Sequence, residues 1–278
     1  MLFGSSTFLR LYVQNKRVEP IMLDSLRVVV AGAEKLREDV RDGFKDKFNQ
    51  DILEGYGATE MSPVVSVNIP DHPGPNNKRL QLGSRSGSVG MPLPGTSIKV
   101  IDPETKQERP PGASGMILTT GPQLMAGYLA NPTASGTAVI CLDGARWYVT
   151  GDKGYLDEDG FLWIVDRYSR FAKIGGEMVS LGAVENVVLR AIQSITTQQI
   201  DDQTTDVIAT SIPDARKGEA IVLLTSDHIN DDVLKSAMMK NGATGIMLPD
   251  RIVVIDEMPK LGSGKPNYAQ AKSIALSN

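Results

Sequence analysis

Apolar residues change period several times along this 278-residue chain. The opening MLFGSSTFLRLY pairs an apolar run with a helix-like pattern and carries no capping prelude. After Arg27, the residues Val28, Val29, Val30 and Ala31 form an uninterrupted, mostly β-branched run, the pattern of a strand buried in a parallel sheet. The run breaks at Gly32-Ala33-Glu34. Leu36, Val40, Phe44 and Phe48 then recur at every fourth position and predict one apolar helix face. Ile52-Leu53 resumes as a strand that stops at Gly55. The result is a β–turn–α–β unit whose two turns lie at strand C-terminal ends, where open α/β sheets hold ligands.

Residues 68–85 are rich in Pro, Asn, Gly and charge, and read as a loop. Short alternating segments follow at 88–90, 97–101, 115–119, 148–150 and 161–165, separated by Asp102-Pro103, Pro110-Pro111-Gly112 and the run from Asp157 to Gly160. They predict a small β-rich subdomain. Beyond Arg167 the pattern changes again. Residues 171–174 and 177–180 predict a hairpin, and a helix follows with Val184, Val187, Val188 and Ile192 inward. Strands at 207–211 and 220–225 precede a helix capped by Asn230, with Asp231 and Asp232 in its first turn. A last strand covers 251–255. Three parts result: a β/α part (1–70), a β-rich part (71–168), and a compact α+β part (169–278) of about 110 residues, enough to fold alone.

Composition narrows the partners. Hydrophobic residues make 41% and charged residues 22%, as in soluble globular proteins. The net charge of −4 leaves no basic footprint for nucleic acid. No apolar run reaches the ~18 residues that a membrane-spanning helix needs. No charged-then-apolar leader opens the chain. The single Cys141 cannot close an internal disulfide and suits a reducing cytosol. With only two histidines beside it, a zinc site is not expected; Cys141 and His228 read as an incidental thiol and a loop imidazole.

The candidate chemistry concentrates between Trp147 and Glu185. Asp152, Arg167, Lys173 and the pair Gly175-Gly176 supply acceptors for ribose hydroxyls, cations for phosphate and bare backbone for a passing ligand. Each motif alone has a plain alternative. The segment from Gly55 to Glu60 reads as a glycine bend with Thr59 capping a helix, and Thr150-Gly151-Asp152 as an ordinary turn. Arg167 reads as a surface cation and Lys265 as part of a glycine-rich tail. Their order and joint presence point further.

That ordered series resembles the adenylate-forming superfamily of acyl-CoA synthetases, luciferases and peptide-synthetase adenylation domains. The likeness rests on YGxTE at 56–60, TGD at 150–152, DRxxRxxKxxGE at 166–177 and PKxxSGK at 259–265. More narrowly, AGAEKL (31–36), LEGYGATE (53–60), SPVVSVN (62–68), RFAKIGGEMVSL (170–181) and LGSGKP (261–266) resemble the acyl-acyl-carrier-protein synthetase module fused to bacterial 2-acylglycerophosphoethanolamine acyltransferase.

The resemblance implies an α/β fold: part of a large AMP-binding lobe over 1–168 and a small mobile lobe over 169–278. It also implies a function. A fatty acid is activated with ATP and Mg²⁺ as acyl-adenylate, then passed to the phosphopantetheine thiol of acyl carrier protein, or of CoA in the alternative. The acyl group would go on to a lysophospholipid through a fused acyltransferase, at the cytoplasmic face of a membrane. In such a site Gly32, Ala33 and Glu34 face adenine and Tyr56 stacks on it, beside Gly57. Thr59 bonds phosphate, Glu60 holds Mg²⁺, Asp152 accepts from both ribose hydroxyls, and Arg167 supports ribose or phosphate. Lys265 bridges the carboxylate and α-phosphate. The hinge position is Ser169, where many relatives carry Asp or Lys; Lys173, Gly175 and Gly176 line the pantetheine tunnel. The superfamily's Ser/Thr/Gly-rich phosphate loop has no counterpart before Arg27. The sequence therefore reads as a C-terminal portion of a longer ligase, with a non-catalytic AMP-binding fragment as the other reading.

Overall fold

The opening apolar run becomes a strand, β1 (Leu2–Gly4), in a computed structural model that describes residues 1–73, 80–195, 207–262 and 266–277. The chain divides into two compact units, Met1–Tyr168 and Ser169–Asn278. Because β1 ends at Gly4, Ser5 is left extended, and its side chain accepts from the Phe8 amide at the start of α1 (Ser6–Gln14). The helix is therefore capped, contrary to the reading of an uncapped start. Its far end is closed by Lys47, whose ammonium donates to the carbonyls of Tyr12, Val13 and Asn15.

The valine run forms β2 (Val29–Ala31), parallel to β1. The four-residue period forms α2 (Glu38–Phe48), with acids in its first turn and lysines in its last, as the helix dipole favours. Val40, Phe44 and Phe48 bury against Leu9, Val29 and Ile52 in the core of this layer. β3 (Ile52–Gly57) runs parallel to β2. It does not stop at Gly55, because β4 (Val64–Val67) returns antiparallel along it as far as Gly57. A side chain at Gly57 would place its Cβ 2.1 Å from the Pro63 carbonyl, so glycine lets the two backbones meet there.

A small ribbon of β5 (His72–Pro73) and β6 (Leu80–Gln81) leads to β7 (Met91–Pro92), which completes the order β1-β2-β3-β4-β7. Residues 88–90, read as a strand, are not one: Ser88 closes a turn onto the Arg85 carbonyl, and Val89 and Gly90 exchange backbone hydrogen bonds with Leu162. Gly90 adopts φ +84°, and a Cβ there would lie about 2 Å from the Val67–Asn68 backbone. The β-rich part follows as β8 (Ser97–Ile101) and β9 (Gly115–Thr120), then a helix the pattern did not predict, α3 (Pro132–Ala138), then β10 (Val139–Leu142), β11 (Ala145–Leu156) and β12 (Leu162–Arg167). The long β11 is central, pairing with β9, β10 and β12, and it carries Asp152.

The second unit is one sheet covered on both faces. β13 (Phe171–Ile174) and β14 (Glu177–Ser180) form the expected hairpin, followed by α4 (Leu181–Ile195) with Val184, Val187, Val188 and Ile192 buried. β15 (Val207–Asp214) and β16 (Gly218–Thr225) pair antiparallel. Asn230 caps α5 (Asp231–Lys240) as expected, accepting from the Asp232 and Val233 amides. β17 (Arg251–Val254) joins β16 in parallel, and α6 (Tyr268–Ser277) ends the described chain. Alternate residues of β16 face opposite cores. Ile221 and Leu223 pack with α4 and α5, while Val222 and Leu224 pack with Ala271 and Ala275 of α6. Among the described residues no helix is long and apolar enough to cross a membrane.

Candidate functional site

In the first unit two carboxylates, each held by tyrosine hydroxyls, stand near one guanidinium. Asp152 lies on β11 opposite Arg167 of β12 and is 5% exposed. The Tyr56 hydroxyl donates to its Oδ2 at 2.5 Å, and Arg167 Nε lies 3.1 Å from its Oδ1. Thr150 sets the local turn: its hydroxyl donates to the Ile117 carbonyl and accepts from the Asp152 amide. Burial pushes the Asp152 carboxyl above its ordinary range, although Tyr56 and Arg167 both work against the rise. Tyr56 itself is pushed far up by burial and the adjacent carboxylate, so it remains a donor. Each Asp152 oxygen therefore has a protein partner and keeps lone-pair capacity for a second donor.

Glu60 lies in a short 3-10 turn, Thr59–Met61, just past the end of β3. The preceding Ala58 is the cap position and makes no side-chain bond, so Thr59 is the first residue of the turn and not its cap. The Tyr128 hydroxyl donates to Glu60 Oε1 at 2.5 Å, and the Met125 amide donates to the Glu60 carbonyl. Burial raises the Glu60 carboxyl, but the Tyr128 hydroxyl, a backbone amide, the Tyr148 hydroxyl and the Arg167 charge together hold it below its ordinary value. Arg167 thus acts electrostatically on both acids, with its own side chain 69% exposed.

The other first-unit candidates lie at strand ends. Gly57 closes β3. Ala33 adopts φ +71°, a left-handed conformation uncommon for a residue with a side chain. Glu34 turns to the start of α1 and accepts from the Thr7 amide, while the Gly32 amide donates to Gly4. Among the described residues no three His, Cys, Asp or Glu side chains gather to hold a metal by themselves. A lone carboxylate such as Glu60 suits Mg²⁺, which keeps most of its waters and takes phosphate oxygens as further ligands.

Tyr128 and Tyr148 were not singled out from sequence. Tyr148 had a usable signal. It stands on the same strand, two residues before Thr150 and four before Asp152. Tyr128 had none, because it reaches Glu60 across 68 residues of chain.

The second unit holds the remaining candidates. Ser169 is its first residue and lies in a 3-10 turn, Tyr168–Arg170. Lys173 is on β13, and its amide donates to Glu219 at 2.7 Å. Gly175 and Gly176 take φ +59° and +92° at the hairpin tip, and the Gly175 amide donates to the Lys217 carbonyl. Together with Arg216, Lys217, Gly218 and Glu219 they line a surface cleft of about 610 Å³. Lys265 falls outside the described residues.

Residues 1–129 match the family model described as AMP-binding enzyme. Over 265 residues the chain is 32% identical to a long-chain-fatty-acid–CoA ligase of Salmonella typhimurium, covering 94% of this chain and 43% of that protein. It is 29% identical over 251 residues to 4-coumarate–CoA ligase 2 of Nicotiana tabacum, covering 89% of this chain and 43% of that one. The ATP-bound crystal structure of MatB from Rhodopseudomonas palustris shares the fold with a TM-score of 0.79 at 23% identity, covering 100% of this chain and 51% of that one. The chain spans less than half the length of the curated relatives it matches. The match to the AMP-binding enzyme family covers residues 1–129, and relatives aligned over 94% of the chain extend the similarity beyond that segment.

Proposed function

We propose that this chain supplies the adenylate-handling and thiol-handling parts of an ATP-dependent acid–thiol ligase acting on a fatty acid. One observation carries the reading: the joint placement of Tyr56, Asp152, Arg167 and Glu60 in the first unit. Asp152 has lone pairs for the ribose hydroxyls, and Tyr56 and the neighbouring Arg167 offset part of the burial that raises its carboxyl. Glu60, held ionised at the end of β3, presents a hard oxygen for Mg²⁺, and Thr59 beside it offers a hydroxyl to phosphate. When bound, Mg²⁺ would neutralise charge on the phosphates. Gly32, Ala33, Glu34, Tyr56 and Gly57 form the adenine side of the site.

The chemistry has two steps. A fatty carboxylate oxygen bonds to the α-phosphorus of ATP as the bond to pyrophosphate breaks, with the Lys265 ammonium stabilising the charge that builds. A thiol sulfur then bonds to the acyl carbon, its proton passes to solvent, and AMP leaves. Ser169 is the pivot that exchanges the Lys265 segment for Lys173, Gly175 and Gly176 between steps.

The five segments between residues 31 and 266 that resemble the carrier-protein synthetase module favour the phosphopantetheine of acyl carrier protein as acceptor, feeding lysophospholipid reacylation at the cytoplasmic face of a membrane. CoA is the second reading, favoured by the fatty-acid–CoA ligase relative at 32% identity. Supplying palmitoyl-adenylate bypasses the first step and tests both. The chain is expected to form palmitoyl-carrier protein more readily than palmitoyl-CoA, measured by mass spectrometry. The reverse preference would replace the first acceptor by the second. Neither thioester above the uncatalysed rate would overturn the ligase reading.

A further inference from the structure

Arg170 immediately follows the proposed pivot, Ser169, and its side chain is committed inside the second unit. The guanidinium is 12% exposed and its Nη2 lies 2.6 Å from Glu185 Oε1 on α4. The same Glu185 oxygen accepts from the Ala209 amide of β15 at 2.8 Å. Arg170 Nη1 donates to the Tyr268 hydroxyl at 2.8 Å, and the guanidinium carbon stacks 4.0 Å from the centre of the Tyr268 ring. One side chain beside the pivot thus ties α4, β15 and the first residue of α6.

Tyr268 also stands at the root of the segment that contains Lys265. Lys260 and Pro266 form an antiparallel bridge. The Asn267 amide donates to the Pro259 carbonyl at 2.8 Å, and the Asn267 side chain accepts from the Gln270 amide. The segment between Pro259 and Asn267 is therefore closed at its base, and the next residue is fastened to Arg170. A flat guanidinium can stack and donate from two nitrogens at once, which a lysine ammonium cannot do.

We propose that Arg170 and Tyr268 are a positioning pair that fixes the first turn of α6, the root of the Lys265 segment, to the residue next to the pivot, so that rotation at Ser169 carries that root together with α4 and β15. The inference rests on the roles proposed above for Ser169 and Lys265. A reacting group displaced by only about 1 Å can lose on the order of 100-fold in rate, so a lysine on a glycine-rich segment needs a fixed root.

Hydrogen exchange on the whole chain tests the pair without relying on turnover. Tyr268→Phe keeps the ring and loses the hydroxyl; Arg170→Lys keeps the charge and loses the stacking and the fork. Amides 259–270 are expected to exchange severalfold faster in both variants, more so in Arg170→Lys, while those of β16 keep their protection. Thioester formation from supplied palmitoyl-adenylate should be retained. Unchanged exchange at 259–270, or an equal rise in β16, would overturn the pairing as a local device. Faster exchange at 259–270 in variants of a chain that itself forms no thioester from palmitoyl-adenylate would support the pairing and count against the ligase reading.

Discussion

At the scale of single residues, the site is a balance between burial and donors. Asp152 is nearly inaccessible, and a buried carboxylate is costly unless it is hydrogen-bonded. Removing its side chain in Asp152→Ala should weaken AMP binding by about 1.5–3 kcal/mol, the range for a hydrogen bond to a charged group, as calorimetric titration would measure. Unchanged affinity would remove Asp152 from the nucleotide site. The pH dependence has a definite sign. Its folded pKa is raised above 3.8, so the favourable contribution belongs to the protonated form and is lost as pH rises through the raised value. Asp152→Asn should therefore gain stability relative to the parent as pH climbs from 3.8 toward neutrality, measured by urea denaturation. The charged members of the site were legible as motif letters, but the phenols that hold them were not. Tyr56 meets Asp152 across 96 residues and Tyr128 meets Glu60 across 68, pairings that no local pattern encodes.

At the scale of elements, periodicity succeeded where a face is buried and failed where a turn or cap decides. The helix faces of α2 and α4 and the β13–β14 hairpin follow directly from spacing. The helix α3 has no apolar period; Asn131 capping it and Pro132 opening it carry its start. The segment 88–90 looked like a strand, yet a turn precedes it and Gly90 takes φ +84° against the Val67–Asn68 backbone, so no regular strand forms. The β11–β12 turn shows how such a feature is held. Asp157 accepts from the amides of Asp159 and Phe161, from the Trp163 indole and from Arg85, which lies over the Phe161 ring. Burial pushes this carboxyl up, but those donors outweigh it and leave its pKa below 3.8. Its contribution is present above that value and lost as pH falls through the lowered one. Asp157→Asn should cost about 1.5–3 kcal/mol near neutrality. It should also flatten the acid limb of a plot of urea midpoint against pH. An unaltered acid limb would show that the turn draws its stability from elsewhere.

At the scale of the whole molecule, each unit has cores of its own. In Ser169–Asn278 one sheet is buried on both faces, by α4 and α5 on one side and α6 on the other. Burial that complete within about 110 residues is the range in which a domain hides well over half of its unfolded surface and folds without help. Residues 169–278 expressed by themselves should therefore unfold in a single cooperative transition. The sequence supplies a convenient probe. Both tryptophans, Trp147 and Trp163, lie outside this unit, and Tyr268 is its one tyrosine. Tyr268 is stacked under Arg170, so its near-ultraviolet signal follows tertiary packing, while the far-ultraviolet signal follows the helices and strands. The two should fall together in urea with a slope of about 1–3 kcal/mol per molar, as for other small two-state proteins. A tyrosine signal lost well before the backbone signal would mean that α6 and the segment preceding it open separately from the sheet. That outcome would contradict a unit that folds cooperatively and would also loosen the root on which Lys265 is proposed to depend.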